Sequence, residues 1–283
     1  MDFTDIRKHV IVAVFAEDEL LDQLVLKGGN AINLIYGYGS RSSLDIDCSI
    51  DGDFANPDKI GRKLRGSLEA RFGEVGHQVF DFNFQRRPSI QQPGTGDRWG
   101  GYTAEFKIIE SSRVELSQGN VERMRRTAVE VSPSHQRTFR IDFSKYEFCA
   151  PKRQEELKDY AIYVYTPEML SLEKLRAICQ QMDEYPMQRN RTPRARDFYD
   201  IYVVLNEGKV DWASQDCLAL AQNIFAAKAV PLSLIELIPR YQSFHQQDWP
   251  SVENSVREKL EPFDFYVGFV AAQSKKLQPL WVV

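Results

Sequence analysis

Near the start of the chain the apolar positions Ile6, Val10, Val14 and the pair Leu20 and Leu21 recur at near-helical intervals, predicting an amphipathic helix over residues 5–24. The apolar run from Leu24 to Leu26 then reads as a short strand. It meets Lys27-Gly28-Gly29, after which residues 31–36 have the composition of a short helix stopped by Gly37 and Gly39. Leu44, Ile46, Cys48 and Ile50 next alternate with Asp45, Asp47, Ser49 and Asp51, the period of two of a strand with one buried face. On that strand Asp45 and Asp47 point the same way.

Residues 57–72 read as a helix and 78–84 as a strand, while 87–101, with two prolines and four glycines, reads as a long turn. Alternation returns over 102–109 and 138–143, with a helical stretch at 120–131 between them. After a last strand at 160–165, Thr166-Pro167-Glu168 is a good helix start, with Thr166 as N-cap and Pro167 in the first turn. Everything beyond it reads as helices joined by polar loops. The expectation is an α+β protein in two parts: residues 1–165 forming a mixed sheet with flanking helices, and residues 166–283 forming a helical domain.

Composition changes this picture little. A chain of 283 residues, 43% hydrophobic and 27% charged, buries a real core without disulfide or metal staples, which argues against disorder and fibrous repeats. Cys48, Cys149, Cys179 and Cys217 lie far apart, so neither a disulfide framework nor a cysteine zinc site is suggested. With no targeting segment and no apolar run of membrane-spanning length, a cytoplasmic location away from the membrane is expected. The net charge of −4 gives no overall attraction for nucleic acid, so such binding would need a local patch. Two are present: Arg189, Arg191, Arg194 and Arg196, and a second group of Arg123, Arg125 and Arg126. Spacing alone favours solvated surface charge for both.

Candidate chemistry centres on the aspartate pair. Two carboxylates at i and i+2 on one strand face suit hard divalent cations, which prefer oxygen ligands and serve phosphoryl and nucleotidyl transfer. An Asp-x-Asp pair can equally decorate a solvent-facing strand. Gly28 and Gly29, between a strand and a helix, offer bare backbone N–H groups to phosphate, yet a Gly-Gly turn alone is only a turn. The order strand, Gly-Gly, helix, strand with Asp-x-Asp is what makes a coherent site for a nucleoside triphosphate and its metals.

Taken together, Leu26-Lys27-Gly28-Gly29-Asn30-Ala31 and Arg41-Ser42-Ser43-Leu44-Asp45-Ile46-Asp47 resemble the first motif of the AbiEii/AbiGii toxin family of nucleotidyltransferases. Val164-Tyr165-Thr166-Pro167-Glu168-Met169-Leu170, followed by Glu173-Lys174-Leu175-Arg176-Ala177, resembles the family's Glu-Lys helix. Arg194-Ala195-Arg196-Asp197-Phe198-Tyr199-Asp200 resembles its basic-Asp-x-x-Asp helix. The resemblance spans roughly residues 20–205 and implies the nucleotidyltransferase fold, with the helical domain completing the cleft. It further implies that Asp45 and Asp47 hold catalytic Mg2+ or Mn2+, that Lys27, Gly28, Gly29, Asn30 and Ser43 contact the nucleotide, that Lys174 binds the triphosphate, and that Asp197 completes the catalytic set. Asp142 sits where the fold's third carboxylate would lie, with Glu105 and Glu115 as rivals.

Blander roles stand beside these. Lys174 could pair on its own helix, and Asp197 and Asp200, at i and i+3, could pair with the preceding arginines. One departure concerns Asn30, where the wider nucleotidyltransferase family usually has Ser or Thr; its amide can still donate to phosphate. His9, His77, His135 and His245 fit no ligand spacing and read as structural or surface residues. The implied activity is transfer from a nucleoside triphosphate to RNA, tRNA foremost, with a cognate antitoxin as partner in a toxin–antitoxin or phage-defence system. The arginines from Arg189 to Arg196, lying between Lys174 and Asp197, are expected at the mouth of such a site, where they would help hold the acceptor. The alternatives are a protein or small-molecule acceptor, or a binding protein that keeps the fold without catalysis.

Overall fold

The computed structural model describes residues 2–41, 43–89, 99–131, 135–187 and 190–281. The first predicted helix is two: α1 (Phe3–Phe15) and α2 (Asp18–Gln23). Residues from His9 to Phe15 are all buried, and the break at Ala16 and Glu17 lets Leu20 turn inward while Glu17 and Glu19 reach Lys63. Strand β1 (Leu24–Lys27) follows, then a single α-turn, α3 (Gly28–Asn30), running on as a π-type turn over Ala31–Ile35. The helix therefore begins at the first glycine, earlier than its composition predicts.

Strand β2 (Ile46–Ile50) is shorter than the alternation suggests. Leu44, grouped by its period with the buried face, is 41% exposed, and Asp45 stands in the bend before the strand. Ser49, by contrast, is fully buried, because β2 lies inside the sheet. Helix α4 (Pro57–Gly73) packs on α1 and against β3 (His77–Arg87), which pairs with β4 (Gly101–Glu110). Of the predicted turn at 87–101, residues 90–98 lie outside the described residues. Two short helices, α5 (Ser111–Ser117) and α6 (Val121–Thr127), lead to β5 (Phe139–Ser144). The pattern had not announced β6 (Lys152–Leu157), whose sequence Lys-Arg-Gln-Glu-Glu-Leu has no apolar period; it is an edge strand paired only with β7 (Tyr160–Tyr165). Charge on an edge strand discourages pairing with other chains.

The seven strands form one mixed sheet in the order β3-β4-β5-β2-β1-β7-β6. β1 runs parallel to β7 and β2 parallel to β5, and the other neighbours are antiparallel. Register aligns Lys27 with Asp47, Asp47 with Asp142, and Asp142 with Thr103, so four strands contribute one lateral row.

Beyond the sheet, α7 (Pro167–Cys179) starts as predicted, the Thr166 side chain accepting from the Met169 backbone N–H. It packs against α8 (Ala195–Glu207) and α9 (Gln215–Ala227). Nearly every residue of α7 is buried, Lys174 and Arg176 included, so its charges must find partners in the interior. Short helical segments follow, namely a 3-10 stretch at Leu232–Tyr241, α10 (Gln242–Gln246) and α11 (Trp249–Glu253), and α12 (Phe263–Ser274) then packs on α8. A single cluster of buried apolar side chains runs from Ile6 to Leu277, so the interior is continuous across Tyr165. Among the described residues no single helix is long and apolar enough to cross a membrane. All four cysteines are free and buried.

Candidate active site

A cleft of about 520 Å3 opens between the Gly-Gly turn, the ends of β2, β4 and β5, and one face of α7 with the start of α8. Its lining includes Lys27, Gly28, Gly29, Ser43, Asp45, Asp47, Asp142, Lys174, Arg194, Arg196 and Asp197. Asn30 and Arg191 are not among the lining residues, and Arg189 lies outside the described residues.

The wall formed by the sheet is acidic. Asp47 and Asp142 are register neighbours on β2 and β5, and Asp45 precedes Asp47 by two residues. Burial pushes the Asp47 carboxyl up to about 6, with the charges of Asp142 and Asp45 adding to the effect and that of Lys27 opposing it. Asp45 is raised as well, by burial and then by Asp142, partly offset by Arg140 and Arg196. Asp142 accepts from Thr103 Oγ1 at 2.6 Å and pairs with Arg140 Nε at 2.9 Å. Gly28 is required at the turn: its φ is +72°, and a Cβ there would stand 2.5 Å from Asp47 Oδ2. At Gly29 a Cβ would meet the side chains of Ser43 at 2.7 Å and Arg41 at 2.8 Å.

The opposite wall is a buried ion cluster. Lys174 Nζ lies 3.0 Å from Asp197 Oδ1 and 2.6 Å from Asp200 Oδ2, so its partners come from the neighbouring helix and not from its own. Arg194 adds a contact to Asp197 at 3.2 Å, and Arg41 grips Asp200 with two bonds of 2.8 Å. Burial alone would raise the Asp197 carboxyl, but Lys174, Arg194 and Arg196 hold it well below the usual carboxylate range. For Lys174, burial works against the charge, and Asp197 and Asp200 outweigh it, leaving the ammonium favoured.

A second cluster forms the floor. Glu147 accepts from Arg176 at 2.7 Å and lies 3.5 Å from the Lys27 ammonium, which also lies 3.4 Å from Glu173. Lys228 approaches Glu147 at 3.6 Å; burial lowers its pKa to about 8. Sequence reasoning passed over Glu147, Arg176, Arg41, Arg140 and Lys228. A signal was available for part of this set. Glu173, Lys174 and Arg176 fall among the apolar residues of a helix whose middle and end have no polar face, and charges in such a helix have to be paired inside the protein.

Two expectations need correction. Asn30 is 1% exposed and turned away from the cleft: its Nδ2 donates to the Asp45 carbonyl at 2.7 Å and its Oδ1 accepts from Arg7 at 3.2 Å. Both ends of the amide are engaged by protein, and Asn30 does not line the cleft. Arg191 pairs with Asp183 at 2.8 Å and covers the Phe244 ring, away from the cleft. Arg196 is exposed, lines the cleft and has no ion pair among the described residues. In the second arginine group, Arg125 is engaged by Asp81 and Glu122, and none of the three lines the cleft. Of the histidines, His9 and His245 are buried, and exposed His135 lies against Glu130.

Among the described residues no group of three or more His, Cys, Asp or Glu side chains is set around a common point that could hold a metal ion. Magnesium, however, is typically held by one or two carboxylates together with substrate phosphates, and the crowded oxygens of Asp45 and Asp47 fit that chemistry. The lining as a whole carries nine Lys or Arg and six Asp or Glu residues, so an acidic protein presents a net basic cleft to a polyanion.

A mixed sheet with Gly-Gly ahead of Asp45 and Asp47, faced by a helical wall that carries Lys174, Arg194 and Arg196, is the arrangement expected of a nucleotidyltransferase. The model of the nucleotidyl transferase AbiEii toxin of type IV toxin–antitoxin systems matches residues 9–268, and the chain belongs to this family. No curated protein matches it. Among solved structures, JHP933 from Helicobacter pylori is 13% identical, with a TM-score of 0.47 over 98% of this chain and 91% of its own. A second H. pylori structure, provisionally named a nucleotidyltransferase, is 14% identical, with a TM-score of 0.49 over 98% of this chain and 94% of its own. An antigenic nucleotidyltransferase-like protein from Paracoccidioides brasiliensis is 16% identical, with a TM-score of 0.37 over 81% and 91%. The assignment rests on the family match, not on these distant structures.

Proposed function

We propose that the cleft transfers a nucleotide from a nucleoside triphosphate to an RNA acceptor, tRNA foremost, and that the chain is the toxic member of a pair with a cognate antitoxin. The observation that carries the proposal is the crowding of Asp45, Asp47 and Asp142 on one wall, where burial and mutual repulsion raise the first two. Carboxylates so placed call for a cation between them and the substrate. Asp45 and Asp47 would hold Mg2+ or Mn2+, which when bound neutralises the triphosphate and lowers the pKa of the attacking hydroxyl. Thr103 and Arg140 hold Asp142 on the same wall of the cleft.

Gly28 and Gly29 leave room for phosphate beside Asp47 and Ser43. Lys174 carries its charge at the cleft wall while Asp197 and Asp200 hold it in position. In the transfer itself, the acceptor hydroxyl gives up its proton to solvent as its oxygen bonds the α-phosphorus, the bond from that phosphorus to the α–β bridging oxygen breaks, and pyrophosphate leaves. Arg196, exposed and unpaired among the described residues, is the side chain best suited to grip an incoming RNA phosphate. The test is incubation with magnesium, each labelled nucleoside triphosphate and either total RNA or total protein. Label in RNA is the expected result. Label confined to protein would overturn the RNA acceptor, and no label anywhere would overturn the activity.

A further inference from the structure

Asp45 is the one carboxylate of the trio outside the sheet. β2 begins at Ile46, so no strand ladder fixes the Asp45 backbone, and a different device must hold it. From the hydrogen bonds around it we infer that Asn30, braced by Arg7, is the positioning residue for Asp45, and that it is no phosphate ligand. The assignment rests on the proposal that Asp45 is a working carboxylate of the cleft.

The geometry is a strut from α1 through α3 to the bend before β2. Arg7, buried on α1, donates through one nitrogen to Asn30 Oδ1 at 3.2 Å and to the Ser43 carbonyl at 2.7 Å. Asn30 Nδ2 in turn donates to the Asp45 carbonyl at 2.7 Å, where Ser43 Oγ makes a longer contact of 3.5 Å. Only this orientation of the amide works, because a guanidinium can only donate and a peptide carbonyl can only accept. Two of the three carbonyls between Ser43 and Asp45 are therefore clamped by side chains from two other elements. A serine or threonine at position 30 could not span Arg7 and Asp45 at once, having one short hydroxyl in place of a two-ended amide. That explains an asparagine directly after the glycine pair.

The test compares Asn30→Asp, Asn30→Ala and Arg7→Lys with Asp45→Asn. Turnover is measured as label transferred from a mixture of labelled nucleoside triphosphates to an unfractionated cell lysate, so no acceptor need be assumed. Asn30→Asp keeps an acceptor for Arg7 but sets a carboxylate oxygen against the Asp45 carbonyl. It should lower Tm, because a buried carboxylate then meets a carbonyl oxygen, and in the folded protein lower kcat by about ten- to a hundredfold, the scale of a small misplacement at a reacting centre, while leaving KM for the triphosphate nearly unchanged. Arg7→Lys, which keeps the charge but whose shorter stem sets the ammonium back from the place of the Arg7 nitrogen that holds both acceptors, should give the same split and covers the case in which a position-30 variant does not fold. A raised KM with native kcat would make Asn30 a nucleotide contact and overturn the strut. Native kcat in the Asn30 and Arg7 variants beside a dead Asp45→Asn enzyme would also overturn it, leaving the cleft assignment intact. An active Asp45→Asn enzyme, or no transfer by the native chain, would instead remove the proposal on which it rests.

Discussion

The ammonium of Lys174 lies 2.6 Å from the carboxylate of Asp200, closer than to Asp197. Asp200 thus shares with Asp197 the task of holding the one lysine that faces the sheet carboxylates from α7, and it ties that lysine to Arg41. Lys174→Ala would leave two buried carboxylates facing one another with Arg41 and Arg194 as their remaining partners. The expected outcome is a loss of about 3–5 kcal/mol of stability, typical of breaking a buried pair, together with weaker nucleotide binding. Urea unfolding and triphosphate titration of the variant check both; native stability would show that the cluster contributes little.

Asp45→Asn and Asp47→Asn should each abolish transfer yet leave the fold intact. For Asp47→Asn the thermal midpoint should hold or rise, because the substitution removes a charge that burial already disfavours enough to push its pKa to about 6. Near-native turnover of either variant at saturating magnesium would remove these residues from the site.

His245 should make the protein sensitive to mild acid. Its Nδ1 accepts the Arg194 backbone N–H at 3.0 Å, its Nε2 has no hydrogen-bond partner among the described residues, and burial lowers its pKa from 6.5 to about 4, Asp197 opposing and Arg194 adding. Between those values the unfolded chain binds a proton that the folded chain refuses. Stability from this group is therefore full above 6.5 and falls as pH drops toward 4, by about 3 kcal/mol at the bottom of the window. His245→Gln should flatten this part of the pH dependence, measured by urea unfolding near pH 7 and near pH 4.5. An unchanged slope would place the acid sensitivity elsewhere.

For acceptor binding, Arg196 and Arg191 should behave differently although both belong to one arginine-rich segment. Arg196 lines the cleft, whereas Arg191 is spent on Asp183 and Phe244. Arg196→Ala should raise the RNA concentration needed for transfer and reduce the salt slope by about one counterion, and Arg191→Ala should do neither. Equal effects in both variants would show the acceptor crossing a surface other than the cleft mouth.

What could be read from the sequence was local. Gly28, Asp45 and Asp47 announce themselves because a turn and a period of two act within a few residues, and Thr166-Pro167 marks a helix start by the same token. Glu147 could not be found that way. Its partners Lys27, Arg176 and Lys228 are brought to it from β1, α7 and the end of α9, and no spacing records such a meeting. Nor did spacing separate Asp197 from Asp200, since one lysine holds both. Asn30 reads through its neighbours in the chain as part of a glycine turn, whereas its side chain is bonded to Arg7 on α1 and to the Asp45 carbonyl. β6 lacks the alternation that reveals a half-buried strand, because as a charged edge it buries little.

The order of the strands also carries a message about time. β1, made among the first residues, sits between β2 and β7, so the middle of the sheet waits for residues 160–165, and the cleft gains its second wall only when α8 supplies Asp197. A ribosome-bound chain that already displays Asp45 and Asp47 has nothing opposite them. A fragment that stops before Ala195 lacks Asp197 and Asp200 and should therefore show no labelled product in the transfer assay, whereas the chain of 283 residues should.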